Sequence, residues 1–458
     1  MRQAIVGISL LLVLSVSFSA ISSRPLHAQQ PTSAQQDSLL RRLERMQRQI
    51  DSLRRASERA TERMISIDER AAALGTPRPV AGDTAHRLLP SSLGIYGKPF
   101  VRRFGSGTSV GGYVDLEFAN NFTTNARSFD QHRLVPFIYS EITDRLHFGT
   151  EIEFEHGVKI ENANGKAEGA GEISVEFATM DYRLFEGLNL RAGVILSPLG
   201  RFNLVHDSPV QELTDRPLVA RQVIPSTLSE AGAGLFGTLY PSSTSLLSYE
   251  LYAVNGFNSE LGKPDADGRL PIRDAQGKRG DLEGRAPIDL VGRLALSPAL
   301  GLELGASAHT GSYGEDLNIE PARQATIWAL DATLNRGPFD VLGEYARLHV
   351  DIDPALRAPT VGDGRDGFYV QGNYHFGQGW LAPTTTSSFT GVVRYEWVDY
   401  NRGVKGDEER RATVGLNWRP VPDAAVKSEM QFARTKPSGS SSFGNDTRRL
   451  VLSLATYF

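Results

Sequence analysis

Residues Arg145–Gly157 read "RLHFGTEIEFEHG". Leu146, Phe148, Ile152 and Phe154 fall on one side of an extended chain, and His147, Glu151, Glu153 and Glu155 on the other. A period of two belongs to strands, whereas a helix brings together residues three and four apart. The same alternation recurs in "VGGYVDLEF" (Val110–Phe118), where Val110, Val114, Leu116 and Phe118 oppose Tyr113, Asp115 and Glu117. In "GEISVEFAT" (Gly171–Thr179), Ile173, Val175 and Phe177 oppose Glu172, Ser174 and Glu176. In "GFYVQGNYHF" (Gly367–Phe376), Phe368, Val370, Tyr374 and Phe376 oppose Tyr369, Gln371, Asn373 and His375. Val426, Met430 and Phe432 oppose Lys427, Glu429 and Gln431, and the final "LVLSLATYF" sets Leu450, Leu452, Leu454 and Phe458 on one face.

Read this way, the chain holds sixteen strands. They lie near 110–119, 131–142, 145–156, 172–183, 188–196, 232–240, 246–255, 287–297, 301–311, 325–335, 338–348, 367–376, 389–399, 411–419, 424–434 and 447–458. Their connections alternate in length. "TDR", "FEG", "PSSTS", "SPALG", "NRGP" and "RPVPD" are short and made of turn-forming residues. Longer polar connections fall between them at 120–130, 157–171, 197–231, 256–286, 312–324, 349–366, 400–410 and 435–446, while 377–388 is of middling length. An even strand number with one short-turn end and one long-loop end describes a membrane barrel; a soluble sandwich has no reason to sort its loops by parity.

A barrel of sixteen strands is too wide for side chains to fill and leaves an aqueous channel. The apolar face therefore looks at lipid and the polar face lines water. Backbone groups in lipid need internal partners, and closure of the sheet supplies them. Trp328, Trp397, Trp418, Tyr345, Tyr400 and Tyr457 are candidates for the aromatic girdles at the two membrane interfaces, with some of them lumen or loop residues instead.

The N-terminal part is different. Arg2, an apolar run from Ala4 to about Ala20, and "LHA" before Gln29 make residues 1–28 a cleavable signal peptide. Its removal takes two Arg and no acid, and lowers the net charge from −4 to −6, which is no balance for binding nucleic acid. The chain has no Cys, so neither disulfides nor thiolate metal sites are available. From Leu39, apolar positions step by four and three in turn through Leu43, Met46, Ile50, Leu53, Ala60, Met64, Ile67, Ala71 and Leu74, interrupted only by Ser57. Charged residues flank this seam, so 36–75 reads as a coiled coil rather than a solvated lone helix. A Pro-containing linker, 76–95, joins it to the barrel at 96–458.

The barrel's opening "GGYVDLEF" (Gly111–Phe118) and the block "RAGVILSPLGRFNLVHDSPVQELTDRPLVARQVIPSTLSEAGAGLFG" (Arg191–Gly237) resemble the phosphate-selective porins O and P of Gram-negative outer membranes. The resemblance implies a sixteen-stranded, homotrimeric, passive diffusion channel in outer-membrane lipid, with the coiled coil in the periplasm as a trimeric extension. It also implies that the terminal aromatic strand, closing against Val110–Ala119, is recognised by the barrel-assembly machinery. In porins the third long loop narrows the lumen. Here that loop is 197–231, with Pro198, Pro209, Pro217 and Pro225, and Arg201, Asp207, Glu212, Asp215, Arg216, Arg221 and Glu230 would set the constriction; the alternative is a surface loop over the mouth.

The charge departs from a phosphate channel. Arg191, Arg293, Arg394 and Lys427 share the inward face with Glu151, Glu153, Glu155, Glu172, Glu176, Asp289, Glu303, Glu396 and Glu429, so acid dominates. Rings of acid favour cations and rings of base favour anions. The row Glu151, Glu153 and Glu155, with His147 beside it, is spaced at about 6–7 Å along one strand, a poor chelate, and reads as lumen wall. No metal or cofactor is expected. Ser307 and His309 share an inward face, unlike the outward-facing pair of an outer-membrane lipase, so no enzyme is expected. The reading is a channel for small hydrophilic solutes or ions, anions such as phosphate among them. The competing reading is a structural anchor whose coiled coil tethers the cell envelope.

Overall fold

A computed structural model describes residues 102–104, 107–157, 171–242, 244–276, 288–313, 323–354, 359–381 and 387–458. The signal peptide, the coiled coil, the linker and the first barrel residues, 96–101, lie outside these.

The described chain is a single sheet. A short β1 (Arg102–Phe104) is followed by β2 (Thr108–Asn121), β3 (Ala126–Glu141), β4 (Leu146–Glu155), β5 (Glu172–Phe185), β6 (Leu188–Leu196), β7 (Ser229–Leu239), β8 (Leu246–Asn255) and β9 (Ile288–Ala299). Then come β10 (Leu302–Ser312), β11 (Gln324–Arg336), β12 (Phe339–Val350), β13 (Gly364–Phe376), β14 (Ser388–Asp399), β15 (Glu408–Val421), β16 (Ala424–Lys436) and β17 (Gly444–Tyr457). Each strand from β2 onward pairs antiparallel with the next, and β17 pairs back onto β2, from Arg449↔Asn121 to Tyr457↔Tyr113. The result is a closed antiparallel barrel of sixteen strands, with β1 added only along β2. Closure leaves the barrel strands no free edge, the condition a sheet must meet in lipid. At the seam Phe458 exchanges backbone hydrogen bonds with Gly112, and the absence of a Cβ at Gly112 is what lets the Phe458 ring lie over it.

The alternation places side chains much as the sequence indicates. Leu116, Leu294, Leu330, Val370, Val414 and Leu452 are exposed on the outer surface, while Asp115, Glu151, Glu176, Glu396 and Lys427 are buried inside. Aromatic rings gather near both strand ends. Phe339 meets Tyr374 at 4.9 Å and Phe376 meets Phe389 at 5.8 Å toward the short turns; Trp328 meets Tyr345 at 5.2 Å and Phe368 meets Trp397 at 6.0 Å toward the loops.

Four details differ from the sequence reading, and one alternative it left open is decided. The connection expected at 120–130 is only the four residues between Asn121 and Ala126, because β2 and β3 continue past the apolar band, where outward positions no longer need to be apolar. The third long loop ends before Ser229, so Glu230 belongs to β7. Phe177 points inward, not to lipid, because the register shifts between Glu151 and Ile152 opposite it and a bulge reverses the parity of the chain. Tyr457 and Tyr400 are buried, so they are among the aromatic residues of the lumen or loops and not of the girdles. Finally, the apolar face does not always look at lipid. On β11 and β12 it is Ala325, Ile327, Ala329, Ala346, Leu348 and Val350 that face inward, while His349 is exposed outside.

Candidate functional site

Loop 197–228 does not arch over the mouth. It enters the barrel and crosses it. Its two feet are tied by Ser197 N donating to Leu228 O at 2.9 Å, and Asn203 clamps both: its Nδ2 donates to Ser197 O at 2.7 Å, and its Oδ1 accepts from Leu228 N at 2.9 Å. The loop then reaches the opposite wall. Gly200 N donates to Ser307 Oγ of β10 at 2.8 Å, and the amides of Arg201 and Phe202 donate to Glu344 Oε2 of β12 at 2.7 and 2.9 Å. Gly200 has φ +67°, and a Cβ there would lie 2.6 Å from Glu344 Oε1, so both backbone and space call for glycine.

From there the loop follows the inner wall. His206 meets Glu176 of β5 at 3.2 Å, Tyr457 of β17 donates to Asp207 at 2.9 Å, and Lys427 of β16 donates to Ser208 O at 2.6 Å. Arg419 of β15 donates to Pro209 O at 2.8 Å and to Glu212 at 3.1 Å. Glu429 accepts from Thr214 N at 2.7 Å, and Arg394 donates to Asp215 O at 2.8 Å. A single helical turn, α1 (Leu218–Gln222), starts behind Pro217, whose fixed φ suits a helix start, and Glu396 accepts from Leu218 N at 2.8 Å. Arg365 of β13 ends the circuit by donating to Gln222 O at 3.0 Å.

The apolar residues of this loop need cover. Leu199, Leu218, Val219, Val223, Ile224 and Leu228 pack with Phe257, Leu261, Leu270, Ile272 and Ala275 of the next loop against the inward Ile327 and Leu348. One side of the lumen is thus a dry core. The second loop is tied down by Arg269, which donates to Asp407 at 2.9 Å and stacks over Tyr400 at 4.5 Å.

The lumen acids are largely matched by base. Arg133 joins Glu153 at 2.7 Å and Glu155 at 2.9 Å, and Arg216 approaches Glu153 at 3.6 Å. Arg191 grips Asp181 through two 2.7 Å hydrogen bonds, and Arg293 pairs with Asp331. Arg394 meets Glu396 at 3.1 Å. Arg411 spans Glu396 at 2.7 Å and Asp215 at 3.1 Å. The sequence reading missed Arg133, Arg365, Arg411 and Arg419. The signal was present: in "RATVGLNWR" Arg411 and Arg419 share parity with Thr413 and Asn417. Burial would raise the Asp215 carboxyl, but Arg411, Arg449 and Arg221 outweigh it and hold it well below the ordinary carboxylate value. Burial draws the Arg216 guanidinium down, and Arg133 beside it adds to that.

The structure brings Asp215 and Arg221 to one cavity of 280 Å³, lined also by Arg411, Arg449, Glu409 and Tyr400. Arg221 is exposed there. Arg201, Asp207, Glu212 and Arg216 lie along the loop's buried path, and Glu230 sits at its foot, 2.9 Å from His309. Arg191 and Arg293 are part of the wall between β5 and β11, away from this cavity, and Glu151 is buried on β4. Ser307 holds the crossing loop through Gly200, and His309 meets Glu230 on β7 at the loop's foot.

No family model matches the chain. It is 29% identical over 342 residues to an uncharacterized protein of Aquifex aeolicus (strain VF5), covering 70% of this chain and 75% of that one. Among solved structures it resembles the anion-selective porin from Comamonas acidovorans, at 12% identity and TM-score 0.50, over 77% of this chain and 99% of the porin. It also resembles the outer membrane channel DcaP of Acinetobacter baumannii, at 11% identity and TM-score 0.50, over 78% and 99%. The fold is that of an outer-membrane porin. The likeness extends to the architecture of a channel and no further; membership of the phosphate-selective family is not part of it.

Proposed function

We propose that the barrel is a narrow outer-membrane diffusion channel for small hydrophilic solutes, with a preference for anions. The observation that carries this is the crossing loop. It is fixed to the inner wall by side chains from β5, β10 and β12 to β17, and the cavity it leaves is edged by Arg221, Arg411 and Arg449 against Asp215 and Glu409. The acid-rich wall does not by itself argue for cations, because the carboxylates of Glu153, Glu155, Asp181, Asp331 and Glu396 are bound to guanidinium groups; Arg221, being exposed, has charge left to act on a permeating ion. Phosphate is one candidate among small anions. The proposal includes three further parts that follow from the family resemblance: assembly as a homotrimer, a periplasmic coiled coil at 36–75, and use of the terminal strand by the assembly machinery.

The test is single-channel recording in planar bilayers with reversal potentials under a KCl gradient. Stable steps and a potential on the anion side are expected, with the anion preference falling or reversing in Arg221→Glu/Arg449→Glu. Absence of steps would favour the structural anchor. A reversal potential unmoved by the double substitution would remove these arginines from the permeation path.

A further inference from the structure

On the inner wall between β2 and β3 lies a second group of charged side chains that the crossing loop does not use. Asp115 and Glu117 face inward from β2. Opposite them the register shifts: Asp115 is the partner of Arg133, but Glu117 is the partner of Asp130. One residue of β2 therefore faces two of β3, a bulge, and bulges re-aim side chains. Here the bulge turns His132 inward beside Arg133 and against the two carboxylates.

One ligand atom each from Asp115, Glu117 and His132 lies within 4.8 Å of the others. His132 Nδ1 touches Glu117 and stands 3.9 Å from Asp115 Oδ2. A His–Glu ion pair explains Glu117. It does not explain Asp115, which is completely buried, with Oδ2 aimed at the imidazole and no hydrogen-bond donor on it. The other oxygen, Oδ1, accepts from Ser453 Oγ at 2.6 Å, which holds the buried carboxylate with Oδ2 toward the imidazole. The nearby cations are engaged elsewhere: Arg133 by Glu153 and Glu155, and Lys427 by Ser208 O. Behind the site, the His156 ring stacks on His132 at 5.4 Å and is itself fixed by Asp130 at 2.7 Å.

We propose that Asp115, Glu117 and His132 bind one divalent first-row transition-metal ion. Bonds of about 2.0–2.2 Å to nitrogen and oxygen place two ligands up to roughly 4 Å apart, so the Asp115–His132 separation fits an ion between them, with Glu117 drawing back slightly. A mixed carboxylate and imidazole set suits zinc and its neighbours better than calcium, which takes more oxygens. The three side chains leave open coordination positions, and His132 is partly open to the lumen, so the ion exchanges with the pore. Ser453 orients one ligand and His156 another, as outer groups do in metal sites.

The experiment uses the full mature chain in detergent micelles, without a histidine tag, dialysed against Zn²⁺ with the bound metal counted. One tight Zn²⁺ per chain is expected, accompanied by a rise in the barrel's melting temperature. His132→Gln and Asp115→Asn should abolish both. Ser453→Ala should weaken binding roughly tenfold, the lower end of the effect of losing an outer-shell partner. His349→Ala, an exposed histidine outside the site, should change nothing. Retention of the ion by His132→Gln, its equal loss in His349→Ala, or failure of the wild-type chain to bind would each overturn the assignment. None of these outcomes depends on whether the barrel conducts.

Discussion

The inner wall of this barrel consists of two unlike surfaces. On β11 and β12 it presents Ala325, Ile327, Ala329, Ala346, Leu348 and Val350, all buried against two inserted loops. On β14 to β16 it presents Arg394, Glu396, Arg411, Asn417, Lys427 and Glu429, all buried as well but hydrogen-bonded to the same loop. The alternation along each strand is equally regular in both. What differs is the loop surface each wall receives: apolar side chains of α1 and its surroundings on one side, backbone and charged groups of residues 207–216 on the other. Strand parity thus says which residues share a face. Whether an inward face is wet or dry is decided by what occupies the lumen.

The strongest way to break the comparison is to put the same carboxylate on both walls. Ile327→Asp places a charge in the dry core, where nothing pairs with it. An unpaired buried charge destabilises by about 3–5 kcal/mol. The inserted loops should come loose, so denaturant unfolding shifts strongly and single-channel conductance rises. Thr413→Asp is equally buried, but residue 413 is the strand partner of Arg394 and lies two places from Arg411. Its effect on stability should be markedly smaller. Equal losses at both positions would mean that the two walls do not differ in polarity where it matters.

The same contrast explains how much the sequence disclosed. The strand positions and the closed barrel were legible because lipid demands an apolar residue at every second position, and runs such as Leu146–Glu155 or Leu450–Leu454 can satisfy nothing else. Inside, no solvent imposes such a rule. "ARLHV" at 346–350 reads equally well with Ala346, Leu348 and Val350 facing lipid, and only the inserted loops make that face the inner one. The acids of the lumen were legible, but their partners were not, since Arg411 meets Asp215 only through a loop 196 residues earlier in the chain. Bulges hid the rest: Phe177 and His132 each lie where a register shift overturns the parity count.

A smaller effect sharpens the part played by the loop's own framework. Asn203 is the clamp between the loop's feet and touches neither cavity nor either wall. Asn203→Ala leaves the Leu228 N–H buried without its acceptor, which destabilises by about 1–3 kcal/mol. The barrel should stay folded while the loop moves more, seen as flicker in the open-channel current and faster proteolysis within 197–228. A quiet channel in Asn203→Ala would mean that the wall contacts alone hold the loop.

The smallest expected effect is that of pH. Asp215 is buried, and burial by itself would push its carboxyl up into the range where a mild acid shift protonates it. Arg411, Arg449 and Arg221 win against burial and depress it below its ordinary value. A group depressed in the folded state contributes stability that is fully present above its unfolded value of about 3.9 and is lost as the pH falls through the folded one. The contribution of Asp215 to conductance and ion preference should therefore stay flat from pH 8 down to about 4, and its hold on the loop should weaken only below that. Asp215→Asn removes the charge at every pH and should lower stability in the neutral range, where the native aspartate is ionised and paired. A conductance midpoint between pH 5 and 8 that disappears in Asp215→Asn would mean that burial, and not the three arginines, governs this carboxylate, and the polar wall would then differ from the dry one less in charge than in shape.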